Sequence, residues 1–171
     1  NKTGTANGIL AVTGSGTSTR TVAISGISGN GTLGVLIASG TATDVAGNSA
    51  GVAGPSTTFT VDNTAPSLTM SAPSATVTRT ASVTYTVTYA DTGGSGVSAV
   101  TLAAGNVTLN KTGTATGTVA VTGSGTSTRT VTISDITGDG SLGISIASGT
   151  ATDIAGNSTG AAGPSTTFTV D

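Results

Sequence analysis

The feature that most constrains the fold of this chain is a long internal repeat. Residues 110–171 repeat residues 1–62 without a gap, and 49 of the 62 aligned positions are identical. The two copies are offset by 109 residues, which is the size of one ordinary domain. Solenoid repeats recur at much shorter periods, roughly 20–50 residues. The sequence therefore predicts tandem domains with a 109-residue period.

The period divides the chain into a complete unit, 63–171, and a partial unit, 1–62. The partial unit has no counterpart of residues 63–109. We therefore expect residues 1–62 to be the C-terminal part of one repeat, with an apolar face left open where the first three strands are missing. On this interpretation the chain is either a segment of a longer tandem array or is completed by a second chain.

Alternation of apolar and polar residues predicts short β-strands in both units. In the clearest run, Val83, Tyr85, Val87 and Tyr89 alternate with threonines, which is the period of a half-buried strand. Similar runs recur between glycine-rich turns, and no stretch has the spacing of an amphipathic helix. A parallel β-helix is the main rival, but its short period is absent. We predict an all-β protein, an antiparallel β-sandwich in each complete unit.

The composition argues against several classes of function. Charged residues make up 7% of the chain, His, Cys and Glu are absent, and the net charge is −2. A basic nucleic-acid-binding surface is therefore not expected, and no apolar run is long enough to span a membrane. A serine nucleophile would find no obvious base among these residues, so we predict that the protein is not an enzyme.

Four stretches carry a resemblance to a known family. TVDNTAPSLTMSAP, DTGGSGVSAVTL, GTATDIAGNS and the closing TTFTVD resemble the bacterial immunoglobulin-like (Big-type) tandem repeats of large cell-surface adhesins and fibres. The resemblance covers the 109-residue unit, although the cysteine pair and core tryptophan of antibody domains are absent. It implies an immunoglobulin-like sandwich, tandem stacking, an extracellular setting and, in some members, calcium at the junctions between domains.

Acidic and amide side chains are predicted to meet at the junction between the units. In an immunoglobulin-like strand order, the loops that hold Asp91, Asp153 and Asn157 lie at the same end as Asp62 and Asn63. Because Ca²⁺ takes about six to eight oxygen ligands, we predict an inter-domain calcium site at these residues. The alternative is that they are ordinary turn residues, whose side chains bond their own backbone.

Two further polar features are predicted to be structural. Residues 135–140, DITGDG, hold two aspartates without the ligand spacing of an EF-hand, so we predict a plain loop. Arg20 and Arg129 occupy equivalent positions after a glycine-rich hairpin turn. We expect both guanidinium groups to be solvated.

These observations predict a structural role at the cell surface. Residues 62–66, including Pro66, form a short junction that would limit bending. We expect a stiff spacer in an extracellular fibre or adhesin stalk, whose partners are neighbouring identical repeats and whose adhesive target is unspecified. One alternative is a subunit of a self-assembling filament, completed by strand addition between chains. The other is a carbohydrate-binding module of a secreted enzyme.

Overall fold

The computed structural model describes residues 1–171, which divide into two compact units, Asn1–Asn63 and Thr64–Asp171. The boundary lies one residue beyond the position expected from the repeat. The first unit contains β1 (Asn7–Thr13), β2 (Thr21–Ser28), β3 (Gly31–Leu33) and β4 (Phe59–Val61). The second contains β5 (Ser67–Met70), β6 (Val77–Thr78), β7 (Val83–Ala90), β8 (Val97–Val100), a 3-10 turn (Ala104–Asn106), β9 (Val107–Lys111), β10 (Thr116–Thr122), β11 (Thr128–Thr137), β12 (Gly140–Ile146), β13 (Ala151–Asp153) and β14 (Phe168–Val170).

The second unit is built from two four-stranded sheets. One has the order β10-β11-β7-β5 and the other the order β6-β14-β12-β9, while β13 and β8 form a separate ladder. Every pair of strands is antiparallel except β14 and β6. The predicted all-β, antiparallel sandwich is therefore confirmed. No helix in the structure has the length and apolarity that a membrane span requires.

The core of the second unit lies between these two sheets. The apolar residues of β7 are buried together with Val131 and Ile133 of β11, and they form one cluster with Leu142 and Phe168 from the other sheet. The threonines that alternate with them along β7 are half-buried or exposed. Full burial of such side chains contributes about 1.5–3 kcal/mol each, so the period-two pattern directly stabilises the sandwich.

The prediction of a loop at residues 135–140 is wrong except at residues 138 and 139, because β11 continues to Thr137 and β12 begins at Gly140. The register of β11 against β10 shifts at this point, since Thr118 pairs with Ser134 whereas Thr116 pairs with Thr137. Asp135 takes a positive φ of 50° at this bulge. An extra residue in one strand reverses which side chains face inward, and Ile136 is consequently buried in the core.

The expected solvation of Arg129 is also wrong. Its side chain is only 8% exposed. Nη2 donates to the carbonyl of Val100 at 2.9 Å, and Nη1 donates to the carbonyls of Gly125 and Thr128 at 2.9 and 2.8 Å. Carbonyl acceptors replace water around the guanidinium group, which makes its burial tolerable. Arg20 of the first unit is exposed and donates to the carbonyl of Thr19 at 2.7 Å.

The first unit has fewer strands and a much smaller core. β1 pairs with β2, as β10 pairs with β11, and β3 pairs with β4, as β12 pairs with β14. Its buried cluster consists of Ala6, Leu33 and Val61, with Ile24 partly buried against it. No strand of this unit corresponds to β5, β7, β8 or β9.

The chain crosses the second unit from one end to the other. Ser67, the first residue of β5, pairs with Ala90 at the end of β7. The segment continues in the same direction, and β6 then runs parallel to β14. The backbone N–H of Asp171 donates to the carbonyl of Thr78 at 3.2 Å. The first and last residues of this unit therefore lie at opposite ends, separated by about the length of a strand.

Candidate metal-binding site

The loop after β7 is folded around the carboxylate of Asp91. Its Oδ2 accepts a hydrogen bond from the backbone N–H of Gly96 at 2.6 Å. Gly94 packs so closely against the carboxylate that any side chain at this position would collide with it. Gly94 is needed because a carboxylate occupies the inside of the loop, whereas Gly93 and Gly96 lack this contact and take positive φ angles of 81° and 94°. Their role was missed in the sequence, which showed only a glycine-rich run.

The second oxygen of Asp91 has no hydrogen-bond partner. Oδ1 is buried and accepts no bond from any donor of the protein. Buried polar atoms are nearly always paired, and an unpaired one costs free energy. This oxygen therefore fits a ligand such as a cation, and it distinguishes Asp91 from an aspartate that only stabilises its own turn.

Asp153, at the end of β13, is 2% exposed and has both oxygens hydrogen-bonded within its own loop. Oδ1 accepts from the backbone N–H of Asn157 at 2.8 Å, and Oδ2 accepts from its Nδ2 at 2.8 Å. Asp44 and Asn48 make the same two contacts in the first unit, on an exposed loop. Hydrogen bonds from the side chain and then the backbone of Asn48 lower the pKa of Asp44. The aspartate–asparagine pair therefore closes this loop in both units, as the alternative interpretation expects.

The structure brings Asp91 and Asp153 together. Carboxylate oxygens of the two residues lie within 4.8 Å of one another. The two loops are also joined by their backbones, because Ile154 N donates to Gly96 O at 3.0 Å. Two carboxylates at this separation repel each other unless a cation or proton lies between them. Carboxylate and carbonyl oxygens are the ligands that Ca²⁺ prefers, and a carboxylate can bind through one or both oxygens.

The other two predicted ligands belong to the first unit. Asp62 directly follows β4. The backbone N–H of Asn63 donates to Oδ1 of Asn30 at 2.6 Å, and its Nδ2 donates to the carbonyl of Gly29 at 2.6 Å. Asn63 thus stabilises the turn between β2 and β3. The calcium site formed by Asp62, Asn63, Asp91 and Asp153 stays a prediction, of which the Asp91–Asp153 pair is the part that the second unit supplies.

The aromatic side chains do not form a row on the surface of the second unit. Tyr85, Tyr89 and Phe168 are all buried in its core. Phe59, in the first unit, is 43% exposed. Comparisons of the chain with protein-family models, with curated proteins and with solved structures gave no match.

Proposed function

We propose that this chain is a structural repeat of an extracellular cell-surface fibre or adhesin stalk, where it acts as a spacer and carries no catalytic site. Its partners on this proposal are neighbouring identical repeats. The proposal is carried by one observation, the path of the chain through the second unit. Because Ser67 and Asp171 lie at opposite ends, each repeat joined in series adds its own length to the array.

The strands of the second unit set the size of that increment. β7 has 8 residues and β11 has 10. At about 3.3 Å per residue, one unit extends an array by roughly 30 Å. The single core between the sheets makes the unit a cooperative element that resists extension, which is the property that a spacer requires.

The surface of the unit also supports this role. The outward residues of β7 are threonines, and charged residues make up 7% of the chain. Threonine is compatible with strands and covers them without a large apolar patch. The burial of Tyr85, Tyr89 and Phe168 leaves the second unit without the exposed aromatic row that a carbohydrate-binding module would present, which favours the spacer.

The spacer proposal is tested by lengthening the chain. Arrays that extend residues 1–171 by one, two and three further copies of residues 63–171 are imaged by rotary-shadowing electron microscopy. The contour length is expected to grow linearly, by roughly 30 Å for each added copy. Particles that become wider or more compact without becoming longer would contradict the proposal.

The cellular location needs a separate test. Antibodies raised against residues 64–171 are applied to intact cells that produce the protein, before and after the cells are permeabilised. Gold label is expected on the outside of intact cells and along any surface fibre. Labelling that appears after permeabilisation alone would exclude an extracellular stalk, whatever the length measurements show.

A further inference from the structure

The chain contains five sequons, sequences of the form Asn-x-Ser/Thr that enzymes of N-linked glycosylation recognise. An acceptor sequon has to present two groups at the surface, the asparagine Nδ2 that reacts and the hydroxyl two residues later that the enzyme contacts. Because the pattern also arises by chance in a chain rich in serine and threonine, the accessibility of these two groups decides between the sequons. They begin at Asn1, Asn30, Asn106, Asn110 and Asn157.

Asn106 has an accessible amide nitrogen on a fixed backbone. It is the last residue of the 3-10 turn, and its Oδ1 accepts a hydrogen bond from the backbone N–H of Ala103 at 2.9 Å. Its carbonyl accepts from the backbone N–H of Ala147 at 2.9 Å. Nδ2 of Asn106 donates to no protein group. Since the only buried side-chain atom without a partner is Oδ1 of Asp91, the Nδ2 of Asn106 is open to solvent.

The surroundings of Asn106 leave room for a sugar. Ala103, Ala104 and Gly105 are all exposed and carry a methyl group or no side chain. A Cβ atom added to Gly105 would meet nothing within 4 Å. Thr108 supplies the hydroxyl of this sequon, is exposed, and makes no side-chain hydrogen bond. Both groups that an acceptor needs are therefore accessible at this turn.

The sequon at Asn110 offers neither group. Nδ2 of Asn110 donates to Oγ of Ser145 at 2.7 Å. Its hydroxyl residue, Thr112, has Oγ1 at 2.8 Å from Oγ of Ser141 and accepts from the Ser141 N–H at 2.9 Å. Both groups are thus engaged in hydrogen bonds between β9, the residue after it and β12.

The sequon at Asn157 is engaged in the same way. Its Nδ2 donates to Oδ2 of Asp153 at 2.8 Å and to the carbonyl of Thr64 at 3.4 Å. Thr159, which carries the hydroxyl, is 2% exposed, and its Oγ1 accepts from the backbone N–H of Ala151 at 3.1 Å. A transferring enzyme could reach neither group without opening this loop.

The two sequons of the first unit have engaged hydroxyls. These hydroxyls belong to Thr3 and Thr32, whose Oγ1 atoms are hydrogen-bonded at 2.8 Å. Oγ1 of Thr3 also accepts from the backbone N–H of Thr32 at 3.0 Å. Asn106 therefore begins the one sequon of the chain in which the amide nitrogen and the hydroxyl are both free.

We propose that Asn106 is the acceptor of an N-linked glycan. Its Nδ2 bonds to the anomeric carbon of a sugar activated as a diphosphate ester. The diphosphate leaves with the bonding electron pair, and one amide proton passes to a base of the transferring enzyme. Oδ1 keeps its hydrogen bond to Ala103, so the turn is preserved. The assignment rests on the proposed extracellular role, since glycans of this kind occur on secreted and surface proteins.

The position of Asn106 gives the glycan a structural use. Asn106 directly precedes β9, which is an edge strand of the β6-β14-β12-β9 sheet. Exposed edges pair with other chains unless charges or a covering group protect them. β9 has one charged residue, Lys111, at its far end. A bulky, hydrated glycan at Asn106 covers the beginning of this edge.

The acceptor site is tested on the folded chain of residues 1–171. The chain is incubated with a soluble N-glycosyltransferase specific for this sequon and a nucleotide-activated hexose, and mass spectrometry of peptides gives the rate at each asparagine. Each rate is divided by that of the same sequon in a short synthetic peptide, 101–109, 108–114 or 152–162, which removes the preference of the enzyme for particular sequences.

This ratio is expected to be at least about tenfold higher for Asn106 than for Asn110 and Asn157, because their amides must first leave hydrogen bonds. A ratio for Asn106 that is equal to the others or lower would overturn the assignment.

Two variants of one residue form a matched pair. Thr108→Val removes the hydroxyl of the sequon and keeps the hydrogen bonds of Asn106, and valine is well tolerated in a strand. This variant should lose modification at Asn106, whereas Thr108→Ser should keep it. Circular dichroism checks that both variants are folded. Modification of the valine variant at the wild-type rate would show that this sequon is not recognised.

Protein isolated from the cells that produce it tests the same site in its natural setting. We expect a glycan at Asn106 and unmodified Asn110 and Asn157 in mass spectra of its peptides. A single hexose identifies a nucleotide-linked sugar as the donor, and a larger preassembled glycan identifies a lipid-linked donor.

The two proposals fail in different ways. Unmodified Asn106 in protein that antibodies detect on intact cells would overturn the glycan site and leave the stalk proposal standing. Glycosylated Asn106 in protein that antibodies reach only after permeabilisation would support the site and exclude the stalk.

Discussion

The hydroxyl of Tyr89 donates a hydrogen bond to Oγ1 of Thr150 at 3.0 Å inside the core of the second unit. Both residues are buried, and they lie 61 positions apart in the sequence. The contact joins β7 to the segment that precedes β13. In the first unit the equivalent threonine, Thr41, is exposed. The threonine is thus covered by a tyrosine of β7 in the second unit, whereas no equivalent tyrosine covers it in the first unit.

Replacing Tyr89 with phenylalanine tests this contact. The change removes one hydrogen bond and leaves the buried hydroxyl of Thr150 with a weaker partner, since Oγ1 of Thr159 is 3.5 Å away. We expect the free energy of unfolding of the second unit to fall by about 1–2 kcal/mol, measured by urea denaturation. Thr88→Ala, on the exposed face of the same strand, should change it by less than about 0.5 kcal/mol. Equal effects of the two variants would contradict a role for the hydroxyl.

The stability of the second unit should depend on pH in the alkaline range. Burial raises the pKa of both Tyr85 and Tyr89, and hydrogen bonds oppose this shift in part. Because the folded state favours the neutral phenols, their contribution is complete below the pKa of an unfolded tyrosine, about 10. It is lost as the pH rises from there through the raised folded values.

The chain holds 2 tyrosines, so the tyrosinate absorbance band reports these residues alone. We expect tyrosinate to form in step with unfolding when the pH is raised, and circular dichroism in the same samples gives the folded fraction. Ionisation of both tyrosines near pH 10 in a chain that remains folded would contradict the burial that raises their pKa.

The two equivalent arginines provide a matched pair. Arg129 donates to three backbone carbonyls and is buried, whereas Arg20 is exposed. Arg129→Ala leaves those carbonyls without their charged donor, and we expect a loss of about 2–3 kcal/mol in the free energy of unfolding. Arg20→Ala should change it by less than about 0.5 kcal/mol. The free energy of unfolding of each unit is measured for both variants by hydrogen exchange at increasing denaturant concentrations, and the two losses are compared.

The unpaired oxygen of Asp91 predicts a specific response to calcium. If Ca²⁺ binds Oδ1, saturating calcium should raise the melting temperature of the wild-type chain above its value in excess chelator, because a ligand that binds the folded state stabilises it. In Asp91→Asn the response should disappear, while stability in chelator should stay equal or rise, since one of two neighbouring negative charges is removed.

Asp139→Asn is the control for the calcium experiment. Asp139 is exposed and lies at the turn before β12, at the end of the unit opposite to Asp91. This variant should keep the full response to calcium. A wild-type melting temperature that is the same with calcium and with chelator would remove the metal site and leave Asp91 and Asp153 as residues of their loops.

Much of the fold could be predicted from local pattern. The alternation in β7 identifies both the strand and its buried face, because side chains alternate along any strand. The extension of β11 could not be predicted in this way. The bulge at Asp135 depends on which residues of β10 lie opposite. The register between two strands cannot be deduced from the sequence of either strand alone.

The candidate metal site could likewise be predicted only in part from the sequence. Strand order predicted that the loops of Asp91 and Asp153 lie at one end of the unit, and the structure places the two carboxylates together. The lack of a hydrogen-bond partner for Oδ1 of Asp91 could not be predicted, because it depends on which donors lie near this atom in the folded unit. The burial of Arg129 was missed for a related reason, since its acceptor on Val100 is 29 positions away.

By itself, the sequence determined the repeat, the strands and the inward side of each strand, because these follow from identity and periodicity along the chain. Tertiary structure alone decided the shift of register at Asp135 and the burial of Arg129, because both depend on residues that are distant in the sequence. Phe59 and Phe168 have the same neighbours in sequence but not in space, since burial depends on the strands that pack against a residue from elsewhere in the chain.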